Sequence, residues 1–160
     1  MNNRYLFRGK RLNNGDWVQG FLFKHLWKGW CIGIEPLSTN TYGDIFDCCY
    51  KEIDPATVGQ WTGLYDSTKW EDLTPQEQED FADSFEDERH CNPQEHWRGR
   101  LIFEGDVLQS NGMNFNSTVK YNNLTGSFCA FYSSLHDSEE RYEVIGNAHD
   151  NPELLERLKP

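Results

Sequence analysis

No stretch of this chain is apolar for long enough to cross a membrane as a helix. There is no internal repeat and no low-complexity tract, so neither a solenoid nor a biased tail is expected. Several signatures of chemistry are missing too. No Gly-x-Ser-x-Gly elbow presents a nucleophile, no phosphate-binding loop or dinucleotide fingerprint is present, and no Cys-x-x-Cys pair is completed. The five cysteines, Cys31, Cys48, Cys49, Cys91 and Cys129, are odd in number and scattered, which argues for free thiols over a disulfide framework. Positive charge is scarce: 15 Lys and Arg stand against 26 Asp and Glu, a net charge of −11. A chain so short of cations is not expected to bind nucleic acid nonspecifically, because that binding rests on neutralised phosphates. The first residues run straight into a strand pattern rather than through a secretory leader, which predicts a protein of the cytoplasm. Without secretion, the sequons at Asn116-Ser117-Thr118 and Asn123-Leu124-Thr125 carry no weight.

What the chain does have is aromatic bulk and strong turns. Six Trp and ten Phe in 160 residues can fill the core of one domain, or of one domain with a small appendage. Residues 4–26 read as a hairpin about Asn13-Asn14-Gly15-Asp16, with Asn-Gly as the turn signal. Leu26–Trp30 closes a second turn, and Cys31-Ile32-Gly33-Ile34 reads as a short strand. After a polar loop over 37–47, a strand is expected around Cys48-Cys49-Tyr50, and another over Val58–Leu64 with Gly63 at its exit. In the second half, strands are expected near Val107–Gln109, Thr118–Tyr121, Ser127–Tyr132 and Arg141–Ile145, parted by Gly112, Asn122-Asn123 and His136-Asp137-Ser138. Short strands at this spacing point to a barrel or roll. Asn151 as cap and Pro152 as first residue predict a short C-terminal helix with Leu154 and Leu158 on one face.

The acidity is local. Between Lys69 and His96, ten Asp and Glu face only Lys69 and Arg89. Thr74-Pro75-Gln76-Glu77 carries a capping box with proline at the first helical position, and Phe81 and Phe85 follow at i, i+4. A short helix is therefore expected from Thr74-Pro75, fraying through Glu86-Asp87-Glu88, with Asn92-Pro93 marking the way out. The chain divides into a β-rich region at 1–66, an acidic helical insertion at 67–98 and a region with barrel and C-terminal helix at 99–160, or these form one compact unit.

The stretch around which the chain is organised is Gly99–Leu108, which reads as strand, turn, strand about Glu104-Gly105-Asp106. Through Phe7-Arg8-Gly9-Lys10, Trp17-Val18-Gln19-Gly20, Thr57–Leu64, Ile102–Val107, Glu143–Asn147 and Asp150–Leu154, the chain resembles the YopX family of bacteriophage and prophage proteins, in order and spacing along its whole length. The resemblance implies an SH3-like β-barrel or roll in the C-terminal part and a phage or prophage origin. It implies no catalytic residue. It also marks the acidic segment as a departure, since a short link is usual there.

Glu104 and Asp106 flank a glycine and could act as metal ligands or as acid and base, but turn chemistry explains each of them by itself. His90, Cys91 and His96 with Cys48-Cys49 do not complete a zinc spacing, so no metal and no cofactor is expected. Asp44, His136 and Ser133-Ser134 make a triad only on paper. The reading is a mainly-β accessory protein that binds a protein partner or itself, and neither nucleic acid nor a membrane. The family-motif turns, Glu104, Gly105, Asp106, Gly146 and Asn147, are its candidate binding residues. Two alternatives stand beside it: a metal-dependent hydrolase using Glu104 and Asp106, and an acidic DNA mimic that inhibits a host DNA-binding protein.

Overall fold

The first hairpin forms where Asn-Gly places it. Strand β1 (Leu6–Lys10) pairs antiparallel with β2 (Trp17–His25), Leu6 opposite Phe21 and Lys10 opposite Trp17. Gly15 turns the chain at φ +77°, in the left-handed region that glycine enters without cost. A computed structural model gives this fold and describes residues 5–34, 49–83, 92–110, 116–135 and 142–156. The expected loop over 37–47, together with Cys48, Phe85, residues 86–88, Gly112 and His136-Asp137-Ser138, lies outside the described residues.

Four further strands extend the first sheet: β3 (Gly29–Gly33), β4 (Tyr50–Glu52), β5 (Gly59–Tyr65) and β6 (Leu101–Phe103), in the order β4-β3-β2-β1-β5-β6. The sheet curls on itself. Arg11 bridges to Ile53, and the Leu12 amide donates to the Glu52 carbonyl at 3.0 Å. Ile32 and Ile53 are buried inside the curl. Gly9 lies against them, and a Cβ there would stand 3.3 Å from Ile53 and 3.4 Å from Ile32. Gly63 does not end β5 as expected. It sits within the strand at φ +90°, where the pairing with β6 shifts register between Trp61 and Tyr65.

The remaining strands are β7 (Asp106–Ser110), β8 (Asn116–Thr118), β9 (Lys120–Asn122), β10 (Ser127–Ala130), β11 (Ser133–Ser134) and β12 (Tyr142–Asn147). They form two three-stranded antiparallel sheets, β12-β7-β8 and β11-β10-β9. Ile102, Leu108, Val119, Ala130, Leu135 and Tyr142 form the core they share. The fold is mainly β, with a curled antiparallel sheet and a few short helices, as the turn spacing implies.

Two further strand boundaries differ from expectation, each for a local reason. The segment expected as one strand over Thr118–Tyr121 is two, β8 and β9, broken at Val119. That residue bonds instead to the Glu104–Asp106 turn: its amide donates to the Asp106 carbonyl at 2.8 Å, and its carbonyl accepts from the Gly105 amide at 2.9 Å. The strand expected over Ser127–Tyr132 stops at Ala130, because Phe131 and Tyr132 take φ of 51° and 64°. Neither residue enters that region readily. Phe131 is held there by stacking on Tyr142 at 5.1 Å between ring centroids, and by donating its amide to Ser117 Oγ at 2.9 Å.

Helix α1 (Pro75–Asp83) begins where the capping box puts it. The Glu77 amide donates to Thr74 Oγ1 at 3.3 Å, and the Thr74 amide to Glu77 Oε2 at 2.9 Å. Phe81 packs edge-on against Trp70 and Trp97, 5.9 and 5.0 Å away, so the helix rests on aromatics of its own segment. Asn92-Pro93 is a start rather than a way out: Asn92 Oδ1 accepts from the Gln94 amide and caps α2 (Pro93–His96). The short helix α3 (Glu153–Glu156) closes the chain on β8, with Asn116 Nδ2 donating to the Leu154 carbonyl at 3.1 Å. Asn151 does not cap it by side chain; its Oδ1 turns back to accept from the Asn147 amide at 3.3 Å.

Candidate functional site

The candidate residues at the two motif turns come together where the first sheet meets the second half of the chain. Asp106 opens β7 and is 1% exposed. Its Oδ2 accepts from the Phe103 amide at 2.7 Å, closing the turn from inside. Its Oδ1 lies 2.5 Å from Arg8 Nη2, a close ion pair without the alignment of a hydrogen bond. The Arg8 guanidinium is held between two rings, 4.7 Å from the centroid of Trp17 and 4.9 Å from that of Phe103. Burial pushes the Asp106 carboxyl up to about 6, against the opposing pull of Arg8.

Glu104 points elsewhere. Its Oε1 accepts from the Tyr121 amide at 3.2 Å, and its own amide donates to the Gln60 carbonyl at 2.9 Å. Gly105, at φ +87°, lets the turn bond on both sides: its amide to Val119 and its carbonyl to the Ala148 amide at 2.8 Å. The two carboxylates are thus committed to different partners, and they do not face one another as an acid and base or a pair of ligands would.

The second turn is built the same way. Asn147 Oδ1 accepts from the amides of His149 and Asp150, both at 3.0 Å, as an Asx turn does. Its Nδ2 donates to Asp150 Oδ2 at 2.9 Å. Trp17 Nε1 donates to the same oxygen at 2.6 Å, and Lys10 Nζ pairs with Asp150 Oδ1. These donors, Lys10 first, hold the Asp150 carboxyl down at about 2. Gly146 leaves room for Asn151 and Leu154, which a Cβ would crowd at 2.5 and 2.9 Å. Asp106 and Asn147, through Arg8 on one side and Asp150 with Lys10 and Trp17 on the other, form a clasp that locks β1 and β2 to β7 and β12, while Glu104 ties the turn to β5 and β9.

The remaining chemical candidates lie only partly among the described residues. Among the described residues no three His, Cys, Asp or Glu gather as a metal site would need. Cys49 is buried and His96 is exposed; His90, Cys91 and Cys48 lie outside the described residues. So do Asp44 and His136, while Ser133 and Ser134 lie on β11.

Residues 97–156 match the family model described as YopX protein. Over this region the chain is similar to the YopX family. The match runs from before β6 to α3 and includes all five candidate residues, whereas Arg8 and Trp17, which complete the clasp, lie outside it. No curated protein matches the chain.

Sequence reasoning missed a second hub. Asp66 is buried, and its Oδ1 accepts from the amides of Thr68 and Arg100 at 3.0 and 2.7 Å. Its Oδ2 accepts from Thr68 Oγ1 and from the Val144 amide, at 2.7 and 3.0 Å. The local sign was there in Asp66-Ser67-Thr68 just after a strand, an Asx-turn sequence. The bonds to Arg100 and Val144 are long-range and leave no mark on local pattern.

Proposed function

We propose that this chain is a phage or prophage accessory protein that acts in the bacterial cytoplasm by binding a protein partner, on a C-terminal part built as an SH3-like roll. The observation that carries the reading is the tip of the β2–β3 hairpin. Leu26 and Trp27 stand there 92% and 88% exposed, side by side, while the motif carboxylates are spent on holding the fold. A single exposed apolar residue means little, but an adjacent Leu-Trp pair at the end of a paired two-stranded stem is the kind of anchor that interfaces bury. Similarity to the YopX family supports the phage setting.

The test is capture from the lysate of a phage-infected bacterial host, with the full chain and a Leu26→Ser/Trp27→Ser variant as baits. A protein retained by the first and lost by the second is expected. Capture that is equal for both baits, or no protein above background, overturns the reading.

A further inference from the structure

Cations are scarce in this chain, yet three of them line one pocket. A cavity of about 360 Å³ opens between the turn after β1, the turn after β2 and strand β4. Arg11, Lys28 and Lys51 surround it, with Leu12 and Tyr50 beside them and Glu52 as the one acid among the described residues that line it. Glu52 is already engaged: Lys28 Nζ lies 3.7 Å from its Oε1 and 5.2 Å from the centroid of the Tyr50 ring. Arg11 and Lys51 have no ion-pair partner among the described residues, and Arg11 Nε is buried without any hydrogen-bond partner. The surroundings match. Asp16 is the sole acid before Glu35 in a sequence that otherwise carries Arg4, Arg8, Lys10, Arg11, Lys24 and Lys28 up to that point.

A buried guanidinium N–H without an acceptor is a costly thing to keep, and a neighbouring unpaired ammonium adds like-charge repulsion. An anionic ligand relieves both. We infer that the pocket formed by Arg11, Lys28 and Lys51 binds a carboxylate-bearing peptide segment of a protein partner. This rests on the protein-binding reading above and narrows the partner to one that presents Asp or Glu. Arg and Lys side chains pair with carboxylate and phosphate alike, so the choice of a peptide carboxylate rests on the rim of the pocket. Arg11 offers the planar fork that matches a carboxylate in two bonds, and Leu12, largely exposed at the rim, gives the neighbouring peptide residue an apolar contact.

The experiment is calorimetric titration of the full chain with a hexaglutamate peptide, with inorganic phosphate as competitor. Binding is expected, and it weakens as salt rises from about 50 to about 200 mM because the contacts are partly exposed ion pairs. Arg11→Gln and, separately, Lys51→Glu should each lower the affinity about tenfold or more, the scale of one lost charge-assisted bond. Phosphate at millimolar concentration should not displace the peptide. Lys51 holds the fold through its backbone pairing in β4, and its side chain makes no hydrogen bond or ion pair among the described residues, so Lys51→Glu should melt as the parent does, which keeps the test valid if Arg11→Gln is unstable. Absence of peptide binding, or equal affinity for the parent and Lys51→Glu, overturns the inference; displacement by phosphate overturns the choice of carboxylate. Its failure is separable from that of the reading it rests on. A lysate partner captured equally by Lys51→Glu leaves protein binding standing and removes this pocket from it. Hexaglutamate binding with no lysate partner does the reverse.

Discussion

Replacing Arg8 by Met tests whether the clasp holds the protein together. The substitution keeps the length and apolar stem that pack between Trp17 and Phe103, and removes the charge that faces Asp106 at 2.5 Å. Asp106 is then a buried carboxylate with one backbone amide as partner. Removing one member of a buried ion pair costs about 3–5 kcal/mol, because the other charge stays behind uncompensated. For a chain of this size each kcal/mol moves the melting temperature by about 2–4 °C, so Arg8→Met should melt about 10 °C lower. The pH dependence separates this cause from lost packing. With the folded carboxyl at about 6 and the ordinary value 3.8, the folded state holds the proton more tightly over that interval. Stability attributable to Asp106 therefore falls as pH rises from 3.8 to 6 and is flat above, by about 3 kcal/mol at most. Arg8 is what limits this fall, so Arg8→Met should lose most above pH 6 and progressively less below it. Adding Asp106→Asn should recover much of the loss, since Asn keeps an acceptor for the Phe103 amide and brings no charge. Urea melts of the parent, both single variants and the double variant at several pH values give the result. A loss under about 1 kcal/mol, or one that does not change with pH, refutes the reasoning.

Other substitutions test other parts of the same structure. Asp66→Ala should be more damaging than Asp66→Asn, because it strips acceptors from three backbone amides at about 1–3 kcal/mol each; failure to give a cooperative melt is the expected result. Thr74→Ala should weaken α1 by about 1 kcal/mol, read as faster amide exchange in that helix with little change in the global melt. Glu77 is held below the usual carboxylate range by its bonds to Thr74, so α1 should fray as pH falls through that lowered value, and exchange measured against pH reads it. Tyr132→Gly should stabilise the protein by about 1 kcal/mol in urea, since it removes a left-handed non-glycine residue whose side chain is fully exposed.

How much of this was legible follows from how local each signal is. The hairpin about Gly15, the capping box at Thr74-Glu77 and the mainly-β character are written in neighbouring residues, and local chemistry decides them. The Glu104-Gly105-Asp106 turn was legible as a turn, and Asp106 does bond the backbone as turn chemistry implies. That Arg8 sits against it was not legible, because a pair so far apart in sequence is set by the sheet rather than by spacing. Phe131 and Tyr132 were misread because both favour strands by propensity, and stacking on Tyr142 overrides that preference. Asn92-Pro93 was misread because the same dipeptide ends one helix or caps the next, and only the Gln94 amide tells which.

The central proposal is that the Glu104-Gly105-Asp106 turn holds the fold while the β2–β3 tip is the surface that would meet a protein partner. Its most direct test is partner capture by Glu104→Gln, which keeps the acceptor for the Tyr121 amide and removes the charge. The account predicts that Glu104→Gln retains the partner as the parent does, while Leu26→Ser/Trp27→Ser loses it. A folded Glu104→Gln protein that loses the partner, beside a tip variant that keeps it, would contradict the account.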